Sequence, residues 1–317
     1  MLLRARVDFK KPDLEQVRDA GMKAVDMHFH TQYSDTYTKI DKILKKAQRL
    51  GIGIAITDHN EIKGVLEAAK LKEGQMLIPG IEVSCLERCH LLFYFQNIAD
   101  LKAFYYNGVE QFKNKDPYSI TQVKIQDIMK EAENFDCLVC AAHPFMRGFM
   151  GIYKNISRGY VDKNVLSAIN AIEVINGVSR NRMNWKALEW AEELGKGFTG
   201  GSDGHSLFQL GKVLTYSKAN SVKGFIENIR NGENFVVGKE IGYIKQVPSG
   251  SRMLRRHLRY IKPTMQLRYE VSLKPSLKYH MPLIKKRIDS MKETGIERVR
   301  DIAERSRKRI DYRFERL

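Results

Sequence analysis

Cysteine is scarce in this 317-residue chain, with four residues, as are proline, with eight, and tryptophan, with two. So few cysteines cannot staple a fold of this length, which excludes a disulfide scaffold. Cys137 and Cys140 form a C-x-x-C, but inside the strand-like run Cys137-Leu138-Val139-Cys140-Ala141-Ala142. Positions i and i+3 of a strand face opposite ways, so the pair is not expected to share a metal. Cys85 and Cys89 have no second pair at matching spacing, and buried free thiols in a reducing compartment are the expectation for all four. Long apolar runs are also missing. The densest, Leu91-Leu92-Phe93-Tyr94-Phe95, falls far short of the roughly 20 residues a bilayer needs, so no transmembrane segment is expected. Charges at Arg4 and Arg6 occupy the place of a signal peptide's apolar run, so a cytoplasmic location is expected. With 43% hydrophobic and 29% charged residues, the chain has enough apolar material for one full core and is not disordered throughout.

Acidic residues are few relative to basic ones, giving a net charge of +17, and the excess is uneven. Residues 246–317 hold 20 Lys/Arg against 8 Asp/Glu, while residues 1–245 hold 34 against 29. The change falls at Lys245-Gln246-Val247-Pro248-Ser249-Gly250-Ser251, whose Pro, Ser and Gly read as a linker. Two parts are expected: a nearly neutral body, 1–245, and a basic extension, 246–317. In the extension, the run Arg252–Tyr260 mixes cations with apolar and aromatic residues, and the pattern over Met281–Leu317 predicts a helix or helix pair. Such a segment suits docking on the body, attraction to nucleic-acid phosphates or, third, an anionic membrane surface.

Through the body, short β-branched or apolar runs alternate with amphipathic helices. Strands are expected at 24–28, 53–57, 77–82, 90–95, 138–142, 171–175 and 197–201, with helices at 39–50, 61–72, 121–134, 181–194 and 221–231. An additional strand is expected at Phe235-Val236-Val237. Strand–helix alternation predicts an α/β fold with a parallel sheet, whose chemistry gathers at the carboxyl ends of the strands.

Six of the eight histidines lie in the body, and five of these follow strands. In Asp26-Met27-His28-Phe29-His30 the two imidazoles sit at i and i+2 and face one way, with Met27 and Phe29 expected on the other side. Thr57-Asp58-His59, Gly80-Ile81-Glu82, Ala142-His143-Pro144 and Ser202-Asp203-Gly204-His205 each close a strand, and His90 opens one. Any one of these is commonly a structural histidine or a helix cap. Together they point to a polynuclear metal centre.

This set, with Ser34-Asp35, resembles the PHP (polymerase and histidinol phosphatase) family of metal-dependent phosphoesterases, in family order across roughly residues 24–245. The resemblance implies a distorted seven-stranded β/α barrel and a trinuclear metal site. It places His28, His30, Glu82 and Asp203 on a first ion. Glu82 bridges to a second held with His90 and His143, and Asp35, His59 and His205 hold a third. Gly204 stands where many members have alanine, and both are small enough for a tight approach. Nitrogen and oxygen donors without thiolate suit Zn²⁺, Mn²⁺ or Fe²⁺. The implied reaction is phosphoester hydrolysis through a metal-activated water, of the phosphatase or 5′-3′ exonuclease type, on nucleotides or the 5′ ends of short nucleic acids. A phosphatase of a small metabolite such as histidinol phosphate is the alternative, and a non-catalytic metal-stabilised binding module a third. Arg147, four residues after His143, is the leading candidate for a phosphate clamp, with Arg180 and Arg182 next. Asp58 is a candidate for orienting a water or an imidazole, or for holding the turn before the helix at Glu61.

Overall fold

The structure, a computed structural model, describes residues 3–146, 151–242, 258, 260–269, 274, 281–282, 285–286, 288–293 and 304. The chain divides into two compact units, Met1–Ile261 and Lys262–Leu317.

The first unit is α/β. Its strands are β1 (Val7–Asp8), β2 (Lys23–Phe29), β3 (Gly53–Ile56), β4 (Leu77–Ser84), β5 (His90–Phe95), β6 (Cys137–Ala141), β7 (Ala171–Asn176), β8 (Gly197–Gly201), β9 (Val213–Ser217) and β10 (Phe235–Gly238). They form one sheet in the order β1-β10-β9-β2-β3-β4-β5-β6-β7-β8. The sheet curls, because the residues just past β8 return to β2. Phe29 and Gly204 make a parallel bridge, and His30 N–H donates to Gly204 O at 3.0 Å.

All seven expected strands and the additional one at Phe235 are present, but the sheet has ten strands among the described residues, not seven. β1 is too short to leave a pattern, and β9 carries Thr and Ser inside its run, which dilutes the apolar signal. The sheet is also mixed rather than parallel. β5 runs antiparallel to both β4 and β6, and β9 runs antiparallel to β2 and β10. That reversal explains why His90 opens its strand: the start of β5 lies beside the end of β4, with Ser84 opposite His90.

Among the helices, α1 is Leu14–Asp19, α2 Ile40–Leu50, α3 Lys63–Leu71, α4 Ile98–Gly108, α5 Ile125–Ala132, α6 Ile152–Ser157, α7 Asn181–Leu194 and α8 Val222–Arg230. The five expected helices are present as α2, α3, α5, α7 and α8, and α1, α4 and α6 are additional to them. On α2 the residues Ile40, Ile43, Leu44 and Ala47 are buried, and Gly51 ends the helix in the left-handed region at φ 66°. Alternation along the strands builds two apolar layers. Leu91, Phe93, Phe95, Cys137, Val139 and Ala141 join the layer that contains α2–α5 residues, while Leu92, Tyr94, Leu138 and Cys140 join one with Phe225, Ile226 and Ile229 of α8. Cys137 and Cys140 therefore do face opposite ways. Met27 and Phe29 do not share a layer as expected: Met27 packs with Val25 in the α8 layer and Phe29 in the other. The register of β2 on β3 shifts between Asp26 and Phe29, and this breaks the simple alternation.

α9 (Ile261–Arg268) starts at the last residue of the first unit, and the described residues of the second unit include the rest of it and helical positions at 281–282, 285–286 and 288–293. The linker expected at Lys245–Ser251 and most of the run Arg252–Tyr260 lie outside the described residues.

Candidate metal centre

The nine residues expected as ligands come from the ends of β2, β3, β4, β6 and β8, the start of β5 and the loop after β2. The chain brings them to one point. Glu82, buried on β4, is the hub. Its Oε2 lies 2.9 Å from His59 Nδ1 and 3.4 Å from both His28 Nε2 and His30 Nε2. Its Oε1 lies 3.0 Å from His90 Nδ1 and 3.1 Å from His143 Nε2. Asp203 Oδ1 is 3.1 Å from His30 Nε2 and 3.5 Å from His28 Nε2. On the far side of His30, Asp35 faces His205 Nε2 at 3.2 Å and His59 Nε2 at 3.8 Å. His59 thus stands between Asp35 and Glu82, a double position that spacing alone does not reveal.

These separations fit a cation. Ligand atoms at tetrahedral Zn–N and Zn–O distances of about 2.1 Å lie roughly 3.4 Å from one another. Among the described residues three compact donor groups satisfy this kind of clustering: His30, Asp35, His59 and His205; His28, His30 and Glu82; and His59, Glu82 and His90. His59 Nδ1, Glu82 Oε2 and His205 Nε2 are buried and, despite these near neighbours, find no partner in hydrogen-bond geometry. Buried polar atoms are rarely left so. The donor set and its orphaned atoms fit divalent cations.

The field inside the cluster is strong. Burial raises the Glu82 carboxyl, but His59, His90 and His28 outweigh this and hold it well below the usual carboxylate range. Asp203 behaves alike, held down by His28, His30 and His205 against burial. Burial lowers the His59 imidazole, yet Glu82 and Asp35 reverse the sign and bring it to about 9. His30 goes the other way, to about 4, through burial and the neighbouring His205 and His59. Strain sits here too: His143 (φ 27°) and Asp203 (φ 49°) occupy a backbone region that side chains seldom adopt.

Tight backbone contact closes the site. A Cβ on Gly201 would lie 2.4 Å from His28 Cβ and 2.5 Å from His28 N. At Gly204 it would meet the Phe29 ring at 2.3 Å, so alanine is not small enough at this position without moving the ring.

The other candidates fare differently. Asp58 accepts from Thr31 N–H and Thr31 Oγ1–H, both at 2.6 Å, so it holds the turn after His30 rather than the one before α3. Burial pushes it up to about 7. Arg180 is exposed at the N-cap of α7, and Arg182 is exposed within the helix. No described hydrogen bond or ion pair joins either side chain to the nine residues. Arg147 lies outside the described residues.

Two participants escaped the sequence reading. Glu173 on β7 accepts hydrogen bonds from two candidate ligands, His28 and His143, and from Asn176, which also donates to Asp203 Oδ2 at 3.1 Å. The available signal was a carboxylate in the middle of the apolar run Ala171-Ile172-Glu173-Val174-Ile175, since an acid buried on a strand needs partners.

Fold and site together define a class, an α/β protein with a candidate polynuclear metal centre at one end of its sheet. The chain belongs to the PHP family: the PHP domain profile matches residues 26–205, more than half of the chain, and a PHP-associated profile matches residues 181–234. No curated protein matches it. Among solved structures, PsfC from Pseudomonas syringae PB-5123 is similar at a TM-score of 0.54 and 18% identity, over 74% of this chain and 98% of that one. The lesion-specific endonuclease PfuEndoQ from Pyrococcus furiosus is similar at 0.53 and 18%, over 68% of this chain and 57% of that one. A complex of Endonuclease Q with a 27-mer duplex bearing an abasic lesion gives 0.54 and 15%, over 74% and 72%. At these identities the likeness is one of fold. Among the described residues no helix is long and apolar enough to cross a membrane.

Proposed function

We propose that this PHP protein is a metal-dependent phosphoester hydrolase acting on nucleotides or the 5′ ends of short nucleic acids. The observation that carries the reading is the division of labour at Glu82. One carboxylate oxygen faces His28, His30 and His59 and the other faces His90 and His143, an arrangement that would suit a carboxylate shared between two cations. His28, His30, Glu82 and Asp203 would hold one ion, Glu82, His90 and His143 a second, and Asp35, His59 and His205 a third. When bound, divalent ions supply Lewis acidity toward a phosphoryl oxygen and an acidified water. The chain's own part is to fix the donors. Glu82 keeps its negative charge, Asn176 steadies Asp203, and the backbone clasp at Gly201 and Gly204 sets the depth of His28 and His30.

Two observations favour a nucleic-acid substrate over a small metabolite. The basic excess of residues 246–317 suits a polyanion, and the fold is shared with Endonuclease Q, whose complex holds a 27-mer duplex substrate with an abasic lesion. A panel of phosphoesters with Mn²⁺ or Zn²⁺ tests the reading. Release of phosphate from 5′-nucleotides or of mononucleotides from short RNA or DNA supports it. Turnover of histidinol phosphate alone transfers the assignment to a metabolite phosphatase, and no turnover with metal bound leaves a binding module.

Metal loading has its own signature. Chelation is expected to lower the melting temperature and Zn²⁺ or Mn²⁺ to restore it, by about 2.7 kcal/mol at a hundredfold excess over Kd. His59 must shed its proton to ligate. With its imidazole held at about 9, apparent metal affinity should rise with pH up to that value, with proton release on binding. Calorimetry in buffers of different ionisation heat checks this, and pH-independent uptake would contradict it.

Deleting residues 246–317 is expected to weaken binding to RNA or single-stranded DNA and to flatten its salt dependence, as phosphate contacts are lost. Hydrolysis of a small phosphoester should survive, because every proposed ligand precedes residue 206. RNA binding equal to that of the full chain at matched low salt would make the extension structural.

A further inference from the structure

Glu173 is almost fully buried on β7 and is absent from the proposed ligand set, yet hydrogen bonds link it to both sides of that set. Its Oε1 accepts from His28 Nδ1 at 2.9 Å. Its Oε2 accepts from the His143 backbone N–H at 2.7 Å and from Asn176 Nδ2 at 3.0 Å. Asn176 passes the connection on, donating from the same amide nitrogen to Asp203 Oδ2 at 3.1 Å. One carboxylate therefore reaches His28 and His143 directly and Asp203 through one amide.

We propose that Glu173 is a positioning residue that holds His28 in its Nδ1–H tautomer, so that Nε2 is free to ligate, while fixing the His143 turn and Asp203 in the same frame. The proposal rests on the metal-ligand reading above. A carboxylate oxygen accepts from the imidazole nitrogen facing Oε1, so that nitrogen keeps its hydrogen and Nε2 is the one left for a cation. That Nε2 lies 3.4 Å from Glu82 Oε2 and 3.5 Å from Asp203 Oδ1, within the cluster.

The network leaves glutamine one way to fit, and it is the wrong one. The His143 N–H is a backbone donor and cannot turn into an acceptor. The Asn176 amide cannot flip either, because its Oδ1 accepts from Val178 N–H at 3.0 Å and Ser179 N–H at 2.9 Å. Asn184 of α7 pins the Asn176 backbone on both sides, accepting from its N–H at 3.2 Å and donating to its carbonyl at 3.1 Å. A glutamine at 173 must therefore aim its carbonyl at these two donors and its NH₂ at His28 Nδ1. The ring then becomes an acceptor at Nδ1 and carries its hydrogen at Nε2, which blocks the ligating atom. Glutamine matches glutamate in volume, so packing alone predicts almost no effect.

The test compares Glu173→Gln with Glu173→Ala in the full chain, reading Zn²⁺ affinity by chelator competition and the melting temperature of metal-free protein. Carboxylates that orient ligating histidines are worth about 10–100-fold in metal affinity. The expected result is a Zn²⁺ affinity lowered in that range by Glu173→Gln, at least as far as by Glu173→Ala, with a metal-free melting temperature close to wild type for the glutamine variant. A merely structural role gives the reverse order: alanine, which empties the space, is the worse variant on both measures. That order, or Zn²⁺ affinity of Glu173→Gln within about twofold of wild type, would overturn the proposal and leave the metal-centre reading standing. Wild-type protein that takes up no Zn²⁺ would overturn both.

Discussion

Glu82→Gln is expected to lower phosphoester hydrolysis by about three powers of ten, corresponding to about 4 kcal/mol of lost transition-state stabilisation. The size follows from where the two carboxylate oxygens point. An amide keeps one oxygen and turns its NH₂ either on the His90 and His143 side or on the side of His28, His30 and His59. Either way one histidine group loses its anion and faces a donor. The strand itself should persist, since the Glu82 backbone bonds to Asp58 O and Asn60 N–H independently of the side chain. The measurement is kcat/KM on the best substrate together with metal content, with circular dichroism as the check on folding. Retained turnover at wild-type metal content would reject the bridging role. His143→Ala should behave alike, whereas His257→Ala and His280→Ala, in the basic extension, should leave metal content unchanged.

Much of the candidate centre was legible because imidazoles and carboxylates interrupt the apolar runs at strand ends. The pair His28 and His30, at the end of β2 and just past it, converges as the spacing suggests, with Nε2 atoms 3.2 Å apart, although the register shift sends Met27 and Phe29 into different layers. Acids and imidazoles at strand ends stand out against apolar runs that are buried on both faces, as in β3, β4 and β6. What stayed hidden depends on chain direction and on pairs distant in sequence. The reversal of β5 cannot be read from His90–Phe95, whose composition is that of any buried strand. Glu173 is 145 residues from His28, and no local pattern announces that contact. Arg180 lies where the backbone after β7 turns into α7, with its side chain exposed, so it is available to an outside anion but is not joined to the nine residues by any described hydrogen bond or ion pair.

The departure at Gly204 shows how the apolar layer decides which small residue fits. The register shift in β2 carries Phe29 into the layer opposite Met27, and there its ring takes the space a Cβ at 204 would need. A ring can swing at moderate cost, so Gly204→Ala should destabilise by about 1–3 kcal/mol. A smaller side chain at Phe29 should recover part of this, a coupling that a double-mutant cycle measures.

Gly201→Ala should be the more damaging change, because the atoms in its way belong to a backbone. The new Cβ would meet His28 Cβ at 2.4 Å, His28 N at 2.5 Å and His28 Cα at 2.9 Å, none of which can rotate aside. The end of β8 must then move away from β2, or β2 from β8. Either movement shifts His28 relative to Glu82 and Asp203, and the adjoining Ser202 N–H to Asp26 bond at 2.8 Å resists it. A displacement near 1 Å at a reacting centre costs about a hundredfold in rate, which is the loss expected in kcat/KM. Zn²⁺ or Mn²⁺ affinity should fall with it. Gly242→Ala is the control, since its Cβ would meet nothing within 4 Å and its backbone is not left-handed. If Gly201→Ala binds metal and turns over substrate as Gly242→Ala does, the clasp between β8 and β2 does not set the position of His28.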